Sequence, residues 1–141
     1  MLPIKRHTEL EFALIAQRIK TLTLSVQIQI LDYSETYANL FIGPSTLFPA
    51  SMREHVSLIR EKYHAQDWND FLSKNQDALY RVNGRAIPRT SSEYPSLLKQ
   101  TSRAPSILYV RGSAEQLHMP QIAIVGSRRM TRVGQQNALG W

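Results

Sequence analysis

The segment Val125-Gly126-Ser127-Arg128, followed by Arg129, is where residue types and spacing in this sequence combine into a chemistry. A continuous apolar run, Ile122-Ala123-Ile124-Val125, leads into it, and Thr131 stands where it would cap a helix beginning near Arg132. At a strand-to-helix turn a glycine permits a tight bend, free backbone N–H groups point outward, and the helix N-terminus carries a partial positive charge. The guest that such a turn suits is a phosphate. Ser127 can donate a hydroxyl, and Arg128 and Arg129 bring forked cations close by. The candidate phosphate- or DNA-binding set is therefore Gly126, Ser127, Arg128 and Arg129. On these residues alone, a plain turn with solvated arginines is the equal alternative.

Other chemistries are excluded by spacing. The six glycines, Gly43, Gly84, Gly112, Gly126, Gly134 and Gly140, form no G-x-G-x-x-G dinucleotide fingerprint and no G-x-x-x-x-G-K-[ST] phosphate loop. Beyond Glu93 the only acidic side chain is Glu115, so the turn has no carboxylate pair for acid–base work or magnesium. Ser127 has no evident base: His118 is the nearest histidine in sequence, and no acid is placed to orient it. His55 and His64 lie nine residues apart with no carboxylate at a metal spacing. Cysteine is absent, which rules out disulfides, a thiol nucleophile and a cysteine zinc site. No catalytic residue, metal or cofactor is assigned, and an enzyme is not expected.

Charge points toward a polyanion. Residues 1–78 hold eight Lys or Arg against nine Asp or Glu, net −1, whereas residues 79–141 hold nine against two, net +7; the two sum to the overall +6. Eight of the nine basic residues in the second part are arginine, with Lys99 the exception. Arginine's planar fork suits bidentate phosphate contacts and stacking on bases. Lys5, Arg6 and His7 at the start precede a segment broken by Glu9, Glu11, Gln17, Arg18 and Lys20, unlike a signal peptide, and no run has the roughly 18 apolar residues of a membrane span. The expectation is a soluble cytoplasmic protein with no membrane partner.

The elements that must hold the turn divide the chain in two. Apolar spacing predicts a helix over Leu10–Ile19, with Thr8 as cap and Glu11 at the capping-box position. Leu24–Tyr33 suits a helix or, through the alternation of Val26, Ile28 and Ile30 with glutamines, a strand. Ser34–Phe41 reads as a helix stopped by Gly43-Pro44. Ser51, with Glu54, is the expected cap of another, and Trp68, Phe71 and Leu72 share one helical face as core residues. After residue 78 the texture changes to short apolar runs between Gly, Pro and Ser. Tyr80–Val82 and Ala86–Pro88 are expected as short strands about Asn83-Gly84, a hairpin-turn dipeptide. Ser96–Gln100 is expected as a short helix after Pro95, Ser106–Arg111 as a strand ended by Gly112, and Ala114–His118 as one helical turn. Gln121–Val125 reads as a parallel strand covered on both faces.

The succession Ile87-Pro88, Glu93-Tyr94-Pro95, Leu97-Leu98, Ala104-Pro105, Ile107-Leu108-Tyr109-Val110-Arg111-Gly112, Ile122-Ala123-Ile124-Val125-Gly126-Ser127-Arg128, then Thr131 and Gly134, resembles the DNA-processing protein A (DprA/Smf) family. The order and spacing over residues 86–134 carry the likeness. It implies an α/β fold: a small N-terminal helical, SAM-like domain over residues 1–78, then the truncated beginning of an extended Rossmann fold over residues 79–141. It also implies single-stranded DNA binding and loading of RecA recombinase during DNA uptake and natural transformation, with the family's G-S/T-R turn on Gly126, Ser127 and Arg128. Homodimers are a family property. The family's Ser-Gly-x-Ala-x-Gly-Ile-Asp segment and later strand–helix units do not follow Trp141, so a truncated and impaired product is expected. The competing expectations are a nucleotide-handling Rossmann-like enzyme and a helical protein-interaction module in residues 1–78.

Overall fold

The computed structural model describes residues 7–123 and 125–140. Lys5, Arg6 and Ile124 of the sequence reading lie outside the described residues. Five helices come first: α1 (Glu9–Arg18), α2 (Leu24–Ser34), α3 (Tyr37–Ile42), α4 (Ala50–His64) and α5 (Asn69–Arg81). They are followed by strand β1 (Gly84–Pro88), the short helix α6 (Ser96–Lys99), strand β2 (Ile107–Arg111), a 3-10 turn (Ala114–His118) and helix α7 (Arg132–Leu139). The result is a helix-rich mixed α/β arrangement whose one sheet, among the described residues, is a two-stranded antiparallel pair.

The capping box expected at α1 is complete: Glu11 N–H donates to Thr8 Oγ1 at 3.2 Å, and Thr8 N–H donates to Glu11 Oε2 at 2.7 Å. Thr8→Ala is therefore expected to cost about 1 kcal/mol, read as a lower urea midpoint with an unchanged slope. For Leu24–Tyr33 the helix wins over the strand. Thr23 Oγ1 accepts the Val26 N–H at 3.4 Å, and Gln27, which a strand would place among its polar residues, is buried. Its amide donates to the Leu22 carbonyl at 2.9 Å, and its Oε1 accepts from the Tyr37 hydroxyl at 3.0 Å, which removes the cost of burying it. Helix α3 is held at both ends by side chains from elsewhere. The Glu9 carboxylate accepts the N–H groups of Tyr37 at 2.7 Å and Ala38 at 3.0 Å. Arg60 donates to the carbonyls of Leu40 at 2.7 Å and Asn39 at 3.0 Å. Gly43 ends the helix where a Cβ would stand 2.6 Å from the Asn39 oxygen.

Two local expectations are overturned. Ser51 caps nothing: α4 starts one residue earlier, after Pro49, whose fixed φ leads directly into the first turn. Tyr80–Val82 is not a strand. Helix α5 runs on to Arg81 and is stopped by Asn83, in a left-handed conformation (φ 48°), with its N–H bonded to the Tyr80 carbonyl at 3.0 Å. Asn83-Gly84 thus turns a helix into a strand, and the partner of β1 is β2, with Gly84 opposite Arg111, Ala86 opposite Tyr109 and Pro88 opposite Ile107.

The main core is aromatic at its centre. Phe12 and Phe41 stack with centroids 5.6 Å apart, and Tyr63 lies 4.9 Å from Phe41. Ile15, Ile30, Tyr37, Leu40, Val56 and Ile59 surround them, and Trp68 and Leu72 close the α5 side as core residues. Composition divides near residue 78, but this core also takes in Ile107 of β2, with Ala86 of β1 packed against it. Polar bonds span the same join: Gln17 Nε2 donates to Ser106 Oγ at 3.1 Å, and Thr90 Oγ1 donates to Glu9 Oε1 at 2.6 Å. A smaller cluster of Ile87, Tyr94 and Ala114, with Leu98, Leu108, Val110 and Leu117, covers the other face of the sheet.

Gln121–Val125 departs from the expected parallel strand. The described residues Gln121, Ile122, Ala123 and Val125 have no strand structure and are exposed. Among the described residues only β1 and β2 pair, and this segment joins neither outer edge of that pair, so no ladder holds its backbone as a strand.

Candidate functional site

Thr131 caps α7 as its position suggests, its Oγ1 accepting the Gly134 N–H at 3.1 Å while Gln135 N–H bonds to the Thr131 carbonyl at 2.9 Å. The N–H groups of Arg132 and Val133, in the first turn of α7, make no hydrogen bond among the described residues, as a helix start leaves them. Immediately before the cap, Ser127 Oγ accepts the Arg129 N–H at 3.1 Å, closing a small turn. The Ser127 hydroxyl proton stays available to a ligand.

The structure brings Gly126, Ser127 and Arg129 together with Thr131, Gly134 and Met130 around one open cavity of about 500 Å³. Arg128 is exposed and does not line it. Gly126 is not in a left-handed conformation, and a Cβ there would meet nothing within 4 Å, so in this arrangement its contribution is open space. The hand-over to the helix is also longer than a tight strand-to-helix turn, since three residues separate Arg128 from the start of α7.

Electrostatically the segment around the cavity is one-sided. Arg128, Arg129 and Arg132 are exposed and form no ion pair among the described residues, whose three pairs are His7–Glu11, Asp70–Lys74 and Arg85–Glu93. His118 is engaged elsewhere, its Nε2 lying 3.0 Å from the Glu93 carbonyl oxygen. Among the described residues no group of three or more potential ligands is placed to hold a metal ion. What the arrangement can do is hold an anion: the cavity is lined by Ser127, with a hydroxyl to donate, and by Arg129, which has no ion-pair partner among the described residues, beside the capped start of α7.

A larger cavity, about 610 Å³, lies between α6 and the 3-10 turn, lined by Pro95, Leu97, Leu98, Leu108 and Leu117 among others. It is mainly apolar and carries no arginine or lysine, so size does not make it the anion site. Arg89 is one of the eight arginines of the second part. It is instead structural: its N–H donates to Ser106, its Nη2 to the Lys99 carbonyl at 2.7 Å, and its Nη1 is buried. Nothing in the local sequence distinguishes it from the exposed arginines.

Compared with known proteins, residues 85–140 match the family model of DNA recombination-mediator protein A, which bears out the resemblance read from the ordered motifs. No curated protein and no solved structure matches the chain. No described helix is long and apolar enough to cross a membrane.

Proposed function

We propose that this chain, whose residues 85–140 carry the DNA recombination-mediator segment, binds single-stranded DNA through its arginine-rich second part, with Gly126, Ser127, Arg128 and Arg129 as a phosphate contact. The observation that supports this most directly is the cavity at the turn, lined by Ser127 and by Arg129, a cation without a carboxylate partner among the described residues, next to the Thr131 cap of α7. In this reading residues 1–78 are a SAM-like helical unit and residues 79–141 the beginning of a Rossmann-type unit. The role is that of a cytoplasmic recombination mediator, not an enzyme, with RecA recombinase as partner.

Fluorescence anisotropy with a labelled single-stranded oligonucleotide tests it. Binding is expected to be strongest at low salt and to weaken along a linear plot of log K against log salt, with slope of about −0.7 per phosphate neutralised. Arg128→Ala combined with Arg129→Ala is expected to flatten that slope by roughly 1.4 and to weaken binding. An unchanged slope and affinity in the double variant would remove the turn from the interface.

A further inference from the structure

The β1–β2 register sorts side chains onto two faces, since directly paired residues share a face. One face carries Gly84, Ala86 and Pro88 from β1 against Arg111, Tyr109 and Ile107 from β2. At the Pro88–Ile107 end this face is buried, with Ile107 in the main core. Toward the Gly84–Arg111 end it emerges into solvent: Tyr109 is 54% exposed and Arg111 is exposed. The residues across from these two are the smallest available, alanine opposite the tyrosine and glycine opposite the arginine. No cross-strand side chain is large enough to cover the Tyr109 ring, and no ring contact involves it among the described residues.

The chain enters this end of β1 directly from α5. The last turn of that helix presents Tyr80, 86% exposed, and the exposed Arg81. Neither Arg81 nor Arg111 forms an ion pair among the described residues. Of the acids closest in sequence, Glu93 is engaged by Arg85, which lies on the other face of the sheet, and Asp77 precedes Arg81 by one helical turn without pairing to it. Exposed aromatic rings interleaved with unneutralised arginines are what a single-stranded polynucleotide requires: π faces for its bases and cations for its phosphates. Phosphates would also neutralise the positive charge of a chain segment of net +7.

We propose that Tyr109 is a base-stacking residue on a second single-strand contact surface, with Arg111 two residues further along the same face of β2 and with Tyr80 and Arg81 on the end of α5 that leads into β1. None of these four residues lines the cavity at Gly126. The ligand class rests on the single-stranded DNA binding proposed above; the site does not.

The test uses the full chain, with two labelled probes of equal length and phosphate number: an oligo-dT and its abasic counterpart. Tyr109→Leu keeps an apolar, strand-compatible side chain while removing the ring, and is expected to weaken oligo-dT binding by about tenfold or more. It should leave abasic binding unchanged. Tyr109→Phe is expected to bind oligo-dT like the parent, and Arg111→Ala to weaken both probes alike. Circular dichroism identical to the parent's confirms that the Tyr109 variants remain folded. If Tyr109→Leu binds oligo-dT as the parent does while the Arg128/Arg129 double variant is weakened, the stacking surface is overturned and the function proposed above stands. If the parent binds neither probe at low salt, both fall together.

Discussion

Phe12→Ala is expected to lower stability by about 3–5 kcal/mol, the range for emptying an aromatic site in a packed core. Phe12 is 1% exposed, stacks on Phe41 at 5.6 Å and lies 5.9 Å from Tyr63. Those two partners sit on α3 and α4, so one truncation on α1 loosens three helices at once. The cavity cannot collapse easily, because the start of α1 is tied twice: the capping box holds it, and the Glu9 side chain is bonded to α3. With total stabilities of single domains near 5–15 kcal/mol, a loss of this size leaves a large unfolded fraction at ordinary temperature. Urea titration followed by far-UV circular dichroism measures it. A loss below about 1.5 kcal/mol would mean that the core repacks and that the aromatic centre is not the keystone described above.

The second large effect is alkaline. Tyr37 is fully buried, and burial pushes its phenol far above the ordinary tyrosine value, with the Glu9 carboxylate adding to the shift. In the unfolded chain the phenol ionises near pH 10, whereas in the folded protein it keeps its proton. The stabilisation is therefore complete below about pH 10. Above it the unfolded state gains by releasing a proton that the folded state retains, and stability falls by up to about 1.4 kcal/mol per pH unit from this one group. Tyr63 and Tyr94 are shifted upward for the same reason and act in the same direction. Tyr37→Phe separates the contributions. At neutral pH it should be less stable by about 1–3 kcal/mol, because the buried Gln27 Oε1 loses the hydroxyl that now donates to it at 3.0 Å. Above pH 10 its loss should be shallower than the parent's. Urea midpoints at pH 8, 10 and 11 decide the matter, and parallel slopes for the two proteins would rule out Tyr37 as the titrating group.

Helices were the part of this fold most visible in the residue pattern, because caps and breakers act locally. Thr8 with Glu11, Thr131 with Gly134, and Gly43 with Pro44 each do what their spacing suggests. Where the pattern misled, a distant partner decided. Val26, Ile28 and Ile30 alternate as a strand would, but the buried Gln27 is satisfied by Leu22 and Tyr37, and a helix results. Asn83-Gly84 has the chemistry of a hairpin turn, yet which strand pairs with β1 is settled by Ile107 reaching the helical core, information that residue 83 does not carry. At the turn after Gly126, the helix cap at Thr131 was legible as a geometry. The absence of Arg128 from the cavity was not legible, since whether a long side chain points into a concavity depends on backbone direction over several residues. Tyr109 and Tyr80 were hidden for the opposite reason. In the sequence each reads as one apolar residue in an apolar run, and only the pairing of Tyr109 with Ala86 and the continuation of α5 past residue 78 show both rings at the surface.

The place of Ile107 in the helical core has a consequence for birth on the ribosome. Synthesis is vectorial, and all five N-terminal helices emerge before the residue that completes their packing. Until Ile107 and Ser106 leave the exit tunnel, one side of the nascent helical assembly stands open and Gln17 lacks the hydroxyl it will bond. Translation at roughly 5–20 residues per second makes that interval a matter of seconds, long compared with helix formation and loop closure. A pause in translation after the helices have emerged but before residues 106 and 107 clear the tunnel would lengthen the exposure.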